Sequence, residues 1–333
     1  MEHKTSNRQK TIYLMIGSIL LLLPGFFLAV SMGATKIGLT EIRNSIFAYS
    51  GSLSDMMIVG VRLPRAICAL LTGGVLGITG AMMQGVTRNP IAEPSLLGIS
   101  QGATLIVACL YAANMAVTTP RLIIAALLGA FLICIIIVGF TMRNPGNASI
   151  TRLLLAGTAL SSLFVSLTTI VGLLSNRSQM IAFWVSGGFR EVTWTEVIVI
   201  LGAAVPGFLL AWLLSGKINI LSLGDDVAIG LGENPNRVRL VVMLLMIPLC
   251  AATVVVGRTI GFVGLIIPQS ARLIVGEDYR RIIPCSFLMG AVLLTYADIA
   301  ARMINTPYET PIGIFTAMIG VPFFLYMARK EKG

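Results

Sequence analysis

Apolar stretches of about twenty residues recur from one end of this chain to the other, each long enough for a helix to cross a hydrocarbon core of roughly 30 Å. They run from Ile12 to Val30, Ala66 to Met83, up to about Ala113, Arg121 to Thr141, Leu153 to Leu174, Glu196 to Leu214, Leu240 to Gly257, Ile282 to Ala301 and Pro311 to Met327. One further stretch, GRTIGFVGLIIPQSARLIVG, is broken by glycine and carries Pro268, so it predicts a short or discontinuous span. The pattern predicts an all-α polytopic membrane protein with about ten transmembrane helices, built as one domain over residues 1–333. The amino end has the look of a signal peptide, but its apolar run exceeds a usual h-region and no small-residue cleavage site follows; it is expected to stay as the first span.

The polar breaks carry the rest of the reading. The longest in the second half is Lys217 to Arg239, KINILSLGDDVAIGLGENPNRVR. It reads as two short amphipathic turns with Leu221, Leu223, Val227 and Leu231 apolar and Asp225, Asp226 and Glu233 facing water. Gly230 and Gly232 interrupt it, and Asn234-Pro235 starts the next helix. A membrane protein that keeps such a segment offers it to a soluble partner, so this is expected to be the docking surface of a partner that drives the protein. A second break, Gln84 to Gly102, holds Pro90 and Pro94 with Arg88, Asn89 and Glu93 and predicts irregular backbone. Such backbone at membrane depth is tolerated only inside protein or beside a wet cavity, which makes it a candidate pore element. Between the breaks, Gly73, Gly77, Ala81 and Gly85 set a small-residue stripe on the second span, suited to the middle of a bundle. Beyond Ser175, Trp184, Phe189 and Trp194 suit an interfacial belt.

Composition sharpens this without changing it. Hydrophobic residues make up 56% and charged residues 11%, far below the roughly 25% charged of a soluble domain. The net charge of +10 is read as topology, with both termini and most basic residues on the cytoplasmic side, and nucleic acid is not an expected partner. The excess on the outer side, which includes Arg62, Arg65 and Arg302, is more than that bias requires. Five cysteines, Cys68, Cys109, Cys134, Cys250 and Cys285, have no metal or disulfide spacing and are expected as small core residues. Asp298 has Arg302 four residues on, which favours a local ion pair over a proton relay.

Catalytic signals fail on context. Gly98-Ile99-Ser100-Gln101-Gly102 fits the GxSxG pattern, but the sole histidine is His3 and the setting is a membrane loop. No GxxxxGK[ST] exists, so the chain does not cradle ATP phosphates by that loop. No metal, cofactor or enzymatic role is expected, and energy comes from a gradient or a partner. A gradient-driven carrier usually carries titratable groups near the midplane; only Asp298 qualifies, so an external motor is the better reading.

Several stretches together resemble the FecCD family, the permease subunits of iron-siderophore, haem and cobalamin ABC importers. They are RLPRAICALLTGGVLGITGAMMQGVTRNPIAEPSLLGISQGA at Arg62 to Ala103, LLLAGTALSSLF at Leu153 to Phe164, LGDDVAIGLGENPNRVR at Leu223 to Arg239, IGFVGLIIPQSARLIVGEDYRRIIP at Ile260 to Pro284, and ADIAARMINTPYETPIGIFTAMIGVPFFLYMARK at Ala297 to Lys330. The resemblance implies two permeases around a central path, alike or different, two cytoplasmic ATPases and an extracytoplasmic substrate-binding protein, in the bacterial cytoplasmic membrane with its lipid. It implies ATPase coupling at Leu223, Gly224, Asp225, Asp226, Ala228, Gly230, Leu231 and Gly232. It implies docking of the binding protein through Arg62, Arg65 and Arg302, and an inner gate at Asn89 and Ile91 and near Ile150 and Thr151. Ferric siderophore is the expected cargo, with haem or cobalamin the alternatives within the family. Where relatives commonly read PHxxR, this chain has Gln269, for which a structural role is expected.

Overall fold

The computed structural model describes residues 2–33, 37–94, 98–114, 118–142, 150–306 and 308–330. Long apolar helices account for most of it. The first, α1 (Glu2–Ser31), is followed by two short helices, α2 (Leu39–Phe47) and α3 (Leu53–Met57), and then by α4 (Leu63–Thr87). Next come α5 (Ile99–Ala112), α6 (Thr119–Met142), α7 (Ile150–Leu174), the short α8 (Ser178–Val185) and α9 (Trp194–Ser222). The chain closes with α10 (Asp225–Gly230), α11 (Pro235–Gly257), α12 (Val263–Val275), α13 (Tyr279–Met303) and α14 (Ile312–Lys330). Among the described residues six segments are long and apolar enough to cross a membrane, and four shorter apolar helices, Ile99–Ala112, Thr119–Ile133, Val263–Val275 and Ile312–Met327, fall where the remaining spans are expected.

Helix α4 is the centre of the bundle, buried along most of its length. Its glycines let α13 and α12 come close: a Cβ on Gly73 would sit 2.2 Å from the Gly290 carbonyl oxygen, one on Gly77 2.2 Å from that of Ser286, and one on Gly80 1.9 Å from that of Gly264. Small residues let helix backbones pack in direct contact, and dispersion over that seam holds them where lipid offers no hydrophobic drive. In the first turn of α4, Pro64 has no N–H to give, and just before that helix the backbone widens into a π turn at Ile58–Arg62, with Leu63 N–H reaching back to Ile58.

Two helices are broken inside the protein. Between α4 and α5, residues 88–94 are largely non-helical, and Gly98, at φ +80°, lies against Ser161 in α7. Between α11 and α12 the break is short, with Arg258 and Phe262 at positive φ. Each break packs on the helix that follows the other: the hydroxyls of Thr104 in α5 and Thr259 are 3.4 Å apart, and Gly264 in α12 faces the Glu93 side chain. Irregular backbone therefore lies against helices in the interior, where protein satisfies it.

Several expectations need correction. Lys217 to Ser222 is not a separate amphipathic turn: it is the end of α9, held because Leu221 is buried and no breaker occurs before Gly224. Likewise Gln84 to Thr87 remain helical, and the break starts only at Arg88. Trp184 and Phe189 are not belt residues. Both are buried, Trp184 donating to the Tyr111 hydroxyl at 2.9 Å beneath the Arg258 guanidinium, and only Trp194 is exposed. Cys68, Cys250 and Cys285 are buried as expected, whereas Cys109 is exposed. The Cys134 side chain and the turn at residues 143–149 lie outside the description.

Candidate functional site

The residues singled out from the sequence gather at opposite ends of the bundle. At one end stand α10 and the start of the break that follows α4. Gly224 (φ +128°) and Gly232 (φ +84°) bracket α10 in backbone conformations that a side chain disfavours. Only Ala228 of this helix is buried. Leu223, Val227, Ile229 and Leu231 are all exposed, an apolar patch rimmed by exposed Asp226. Asn234 caps α11 by accepting the Arg237 N–H, so the chain re-enters the bundle at once.

Asp225 does not simply face water. Its carboxylate accepts from Arg88 at 2.9 Å and from both terminal nitrogens of Arg239 at 2.7 and 3.0 Å. Arg88 is the left-handed residue that ends α4; next to it Asn89 accepts the Ile91 N–H on its side-chain oxygen. On the inner side of this turn, Gln269 donates from Nε2 to the Gln84 side chain at 2.8 Å and to the Pro90 carbonyl at 2.9 Å. Gln84 in turn donates to the Gly264 and Leu265 carbonyls. An amide can both give and take, so Gln269 is a buried structural link between α12, α4 and the break. Asn89 and Ile91 are half-buried in this turn. Ile150 and Thr151 open α7, and their side chains lie outside the description.

At the opposite end, Arg62, Arg65 and Arg302 lie close together, and all three are buried. Arg62 donates to the Val30 and Ser31 carbonyls at the end of α1. Arg65 makes a forked contact with Asp298 at 2.9 to 3.3 Å and a second ion pair with Glu309. Arg302 pairs with the same Asp298 at 3.1 Å and donates to the Ala29 and Met32 carbonyls. The expected Asp298–Arg302 pair is present, and Arg65 is the second cation that sequence spacing did not suggest. Neither was Glu309 singled out; it joins Arg65 to Arg190 across a cavity of about 380 Å³ lined also by Phe189, Glu191 and Tyr308. Burial raises the Glu309 pKa, but hydrogen bonds and charge from Arg65 and Arg190 outweigh it and hold the carboxyl below its ordinary value. Among the described residues no cluster of His, Cys, Asp or Glu could hold a metal ion.

A long surface on α7 is neither charged nor purely apolar. Thr158, Ser162, Ser166 and Thr169 are exposed at helical spacing, each donating to a carbonyl three or four residues earlier, and Leu163, Val165 and Ile170 lie beside them. Back-bonded hydroxyls are tolerable in a membrane and still offer lone pairs on the exposed face.

A bundle of membrane-crossing helices with an exposed apolar helix at one end and buried arginines at the other defines a multi-pass membrane protein. The chain belongs to the FecCD transport family, which it matches over residues 20–330. It is 41% identical over 329 residues to the iron(3+)-hydroxamate import system permease protein FhuB of Bacillus subtilis, covering 98% of this chain and 86% of that protein. It is 36% identical over 336 residues to the Fe(3+)-citrate import system permease protein YfmD of the same organism, covering 100% and 99%. The hemin transport system permease protein HmuU of Yersinia pestis is 33% identical, with 96% of each chain covered. Among solved structures, an inward-facing metal-chelate type ABC transporter superposes with a TM-score of 0.83 at 28% identity, covering 95% of this chain and 98% of that one.

Proposed function

We propose that this chain is the permease subunit of an ABC importer that carries a metal chelate, a ferric siderophore before haem or cobalamin, across the bacterial cytoplasmic membrane. The observation that carries this is the exposed Leu223, Val227, Ile229 and Leu231 face of α10, a helix with too little burial of its own to exist for the bundle's sake. Such a face suits an ATPase subunit, with Leu223 to Gly232 as its coupling segment. The basic residues at this end, among them Arg88, Arg237, Arg239 and Arg280, favour the cytoplasmic side, with both termini there.

The arginine end then faces outward to a substrate-binding protein. Arg62, Arg65 and Arg302 are too committed internally to reach out as free cations. Their docking role is proposed for Arg65 by exchange, a partner carboxylate replacing half-exposed Glu309. The path runs along α7 against a second permease, a copy or a sister chain, with lipid on the remaining faces, and an inner gate at Asn89 and Ile91 and at Ile150 and Thr151. A bulky chelate that brings its own metal ligands needs such a weakly polar wall more than a tight site.

Uptake of radioactive iron, offered as hydroxamate, citrate and catecholate chelates, tests the reading in cells with and without the gene. Loss for one class, restored by the gene, fixes the cargo; unchanged uptake of every iron chelate contradicts it. The wall has its own expected result. In a cysteine-free assembled importer, Ser162→Cys and Ser166→Cys are labelled by a water-soluble maleimide at least tenfold faster than Leu209→Cys on the exposed apolar face of α9. Equal labelling would place the α7 stripe against lipid.

A further inference from the structure

Resting on the permease reading, we propose that the Arg88–Asp225–Arg239 bridge is the strut that carries the motion of α10 to the gate turn. The geometry is specific. Asp225 is the first residue of α10, and its carboxylate is held by Arg88 at the end of α4 and by Arg239 in α11, which itself touches that end. One route is direct, through Arg88, the residue adjoining Asn89. The other passes through Arg239, which grips both carboxylate oxygens and also donates from Nε to the Val86 carbonyl at 3.3 Å. A planar guanidinium held at three points is a stiffer link than a single ammonium contact.

The ends of the strut fit the role. Glycines in unusual backbone conformations flank α10 on both sides, so the helix can tilt as a unit, and little buried surface resists the tilt. The gate turn is anchored on its far side by Gln269 through Pro90. A displacement of Asp225 is therefore delivered to residues 88–91, between a moving contact and a fixed one. The Arg88 and Asp225 side chains are a third or more exposed, so their pairing adds little to fold stability. Its use is positional, and contiguity of this kind needs a functional test.

The test is made on the whole importer, with its ATPase and binding protein, in proteoliposomes. ATP hydrolysis and uptake of ferric hydroxamate or citrate are measured in the same vesicles. Arg88→Gln, outside the coupling segment, is expected to keep ATP hydrolysis within twofold while chelate moved per ATP falls about tenfold, and Asp225→Asn lowers the same ratio as far whatever it does to hydrolysis. Asp225→Glu, which keeps the charge, restores at least half of the ratio. If Asp225→Asn leaves the ratio unchanged, or lowers hydrolysis and uptake in proportion, the strut is overturned and Asp225 serves ATPase docking or folding. A wild-type complex that on ATP takes up none of ferric hydroxamate, citrate or catecholate, haem or cobalamin overturns the permease reading itself, and the strut falls with it.

Discussion

Replacement of Asp298 by alanine is expected to cost roughly 3–5 kcal/mol, the loss that follows when one partner of a buried ion pair is removed. Asp298 is fully buried and serves both Arg65 and Arg302. Without it, Arg302 keeps only carbonyl acceptors, and Arg65 keeps only half-exposed Glu309. Two guanidinium groups would then repel each other in a low-dielectric setting. The effect is read as lost monodisperse protein after detergent extraction and a lowered unfolding midpoint. Glu309→Gln, at the exposed edge of the same cluster, is expected to cost about 1 kcal/mol or less. Equal stability of Asp298→Ala and wild type would mean that the cluster is not what ties α1, α4 and α13 together.

The second large effect is at Gly80. A Cβ there would lie 1.9 Å from the Gly264 carbonyl oxygen and 2.5 Å from its backbone carbon atoms, and backbone cannot rotate away as a side chain can. Gly80→Val must push α12 off α4, at a cost of roughly 3 kcal/mol or more, the upper part of the overpacking range. The same shift pulls on the Gln84 bonds to the Gly264 and Leu265 carbonyls, so the turn at residues 88–91 loses its support on that side as well. Gly202, on α9, has nothing within 4 Å of its Cβ position, and Gly202→Ala is expected to be neutral or slightly stabilising. Similar thermal stability of the two variants would show that the α4–α12 seam has slack.

The helical architecture was legible because twenty-residue apolar runs leave few alternatives. The stripe on α4 was legible in part: Gly73 and Gly77 mark the seam with α13, while Gly80, outside that register, faces α12. Helix ends were less so. Nothing in KINILS announces that α9 continues, because burial of Leu221 against the bundle is a tertiary fact. The arginines illustrate the limit most clearly. Their excess at one end was visible in the sequence, but Arg65 and Asp298 are 233 positions apart, and no periodicity links them. Glu309, in a loop, carried no signal beyond its charge. Arg88 and Asp225 are similarly remote, so the α10 segment could be read as a polar break without its tie to the turn at residues 88–91.

The most direct measurement is transport by the purified importer in proteoliposomes, with ATP and an ion gradient supplied separately. The account predicts that ferric chelate enters only when ATPase, binding protein and ATP are all present, and that collapsing every ion gradient leaves the rate unchanged. Uptake by this chain alone, driven by a proton or sodium gradient without ATP, would contradict it.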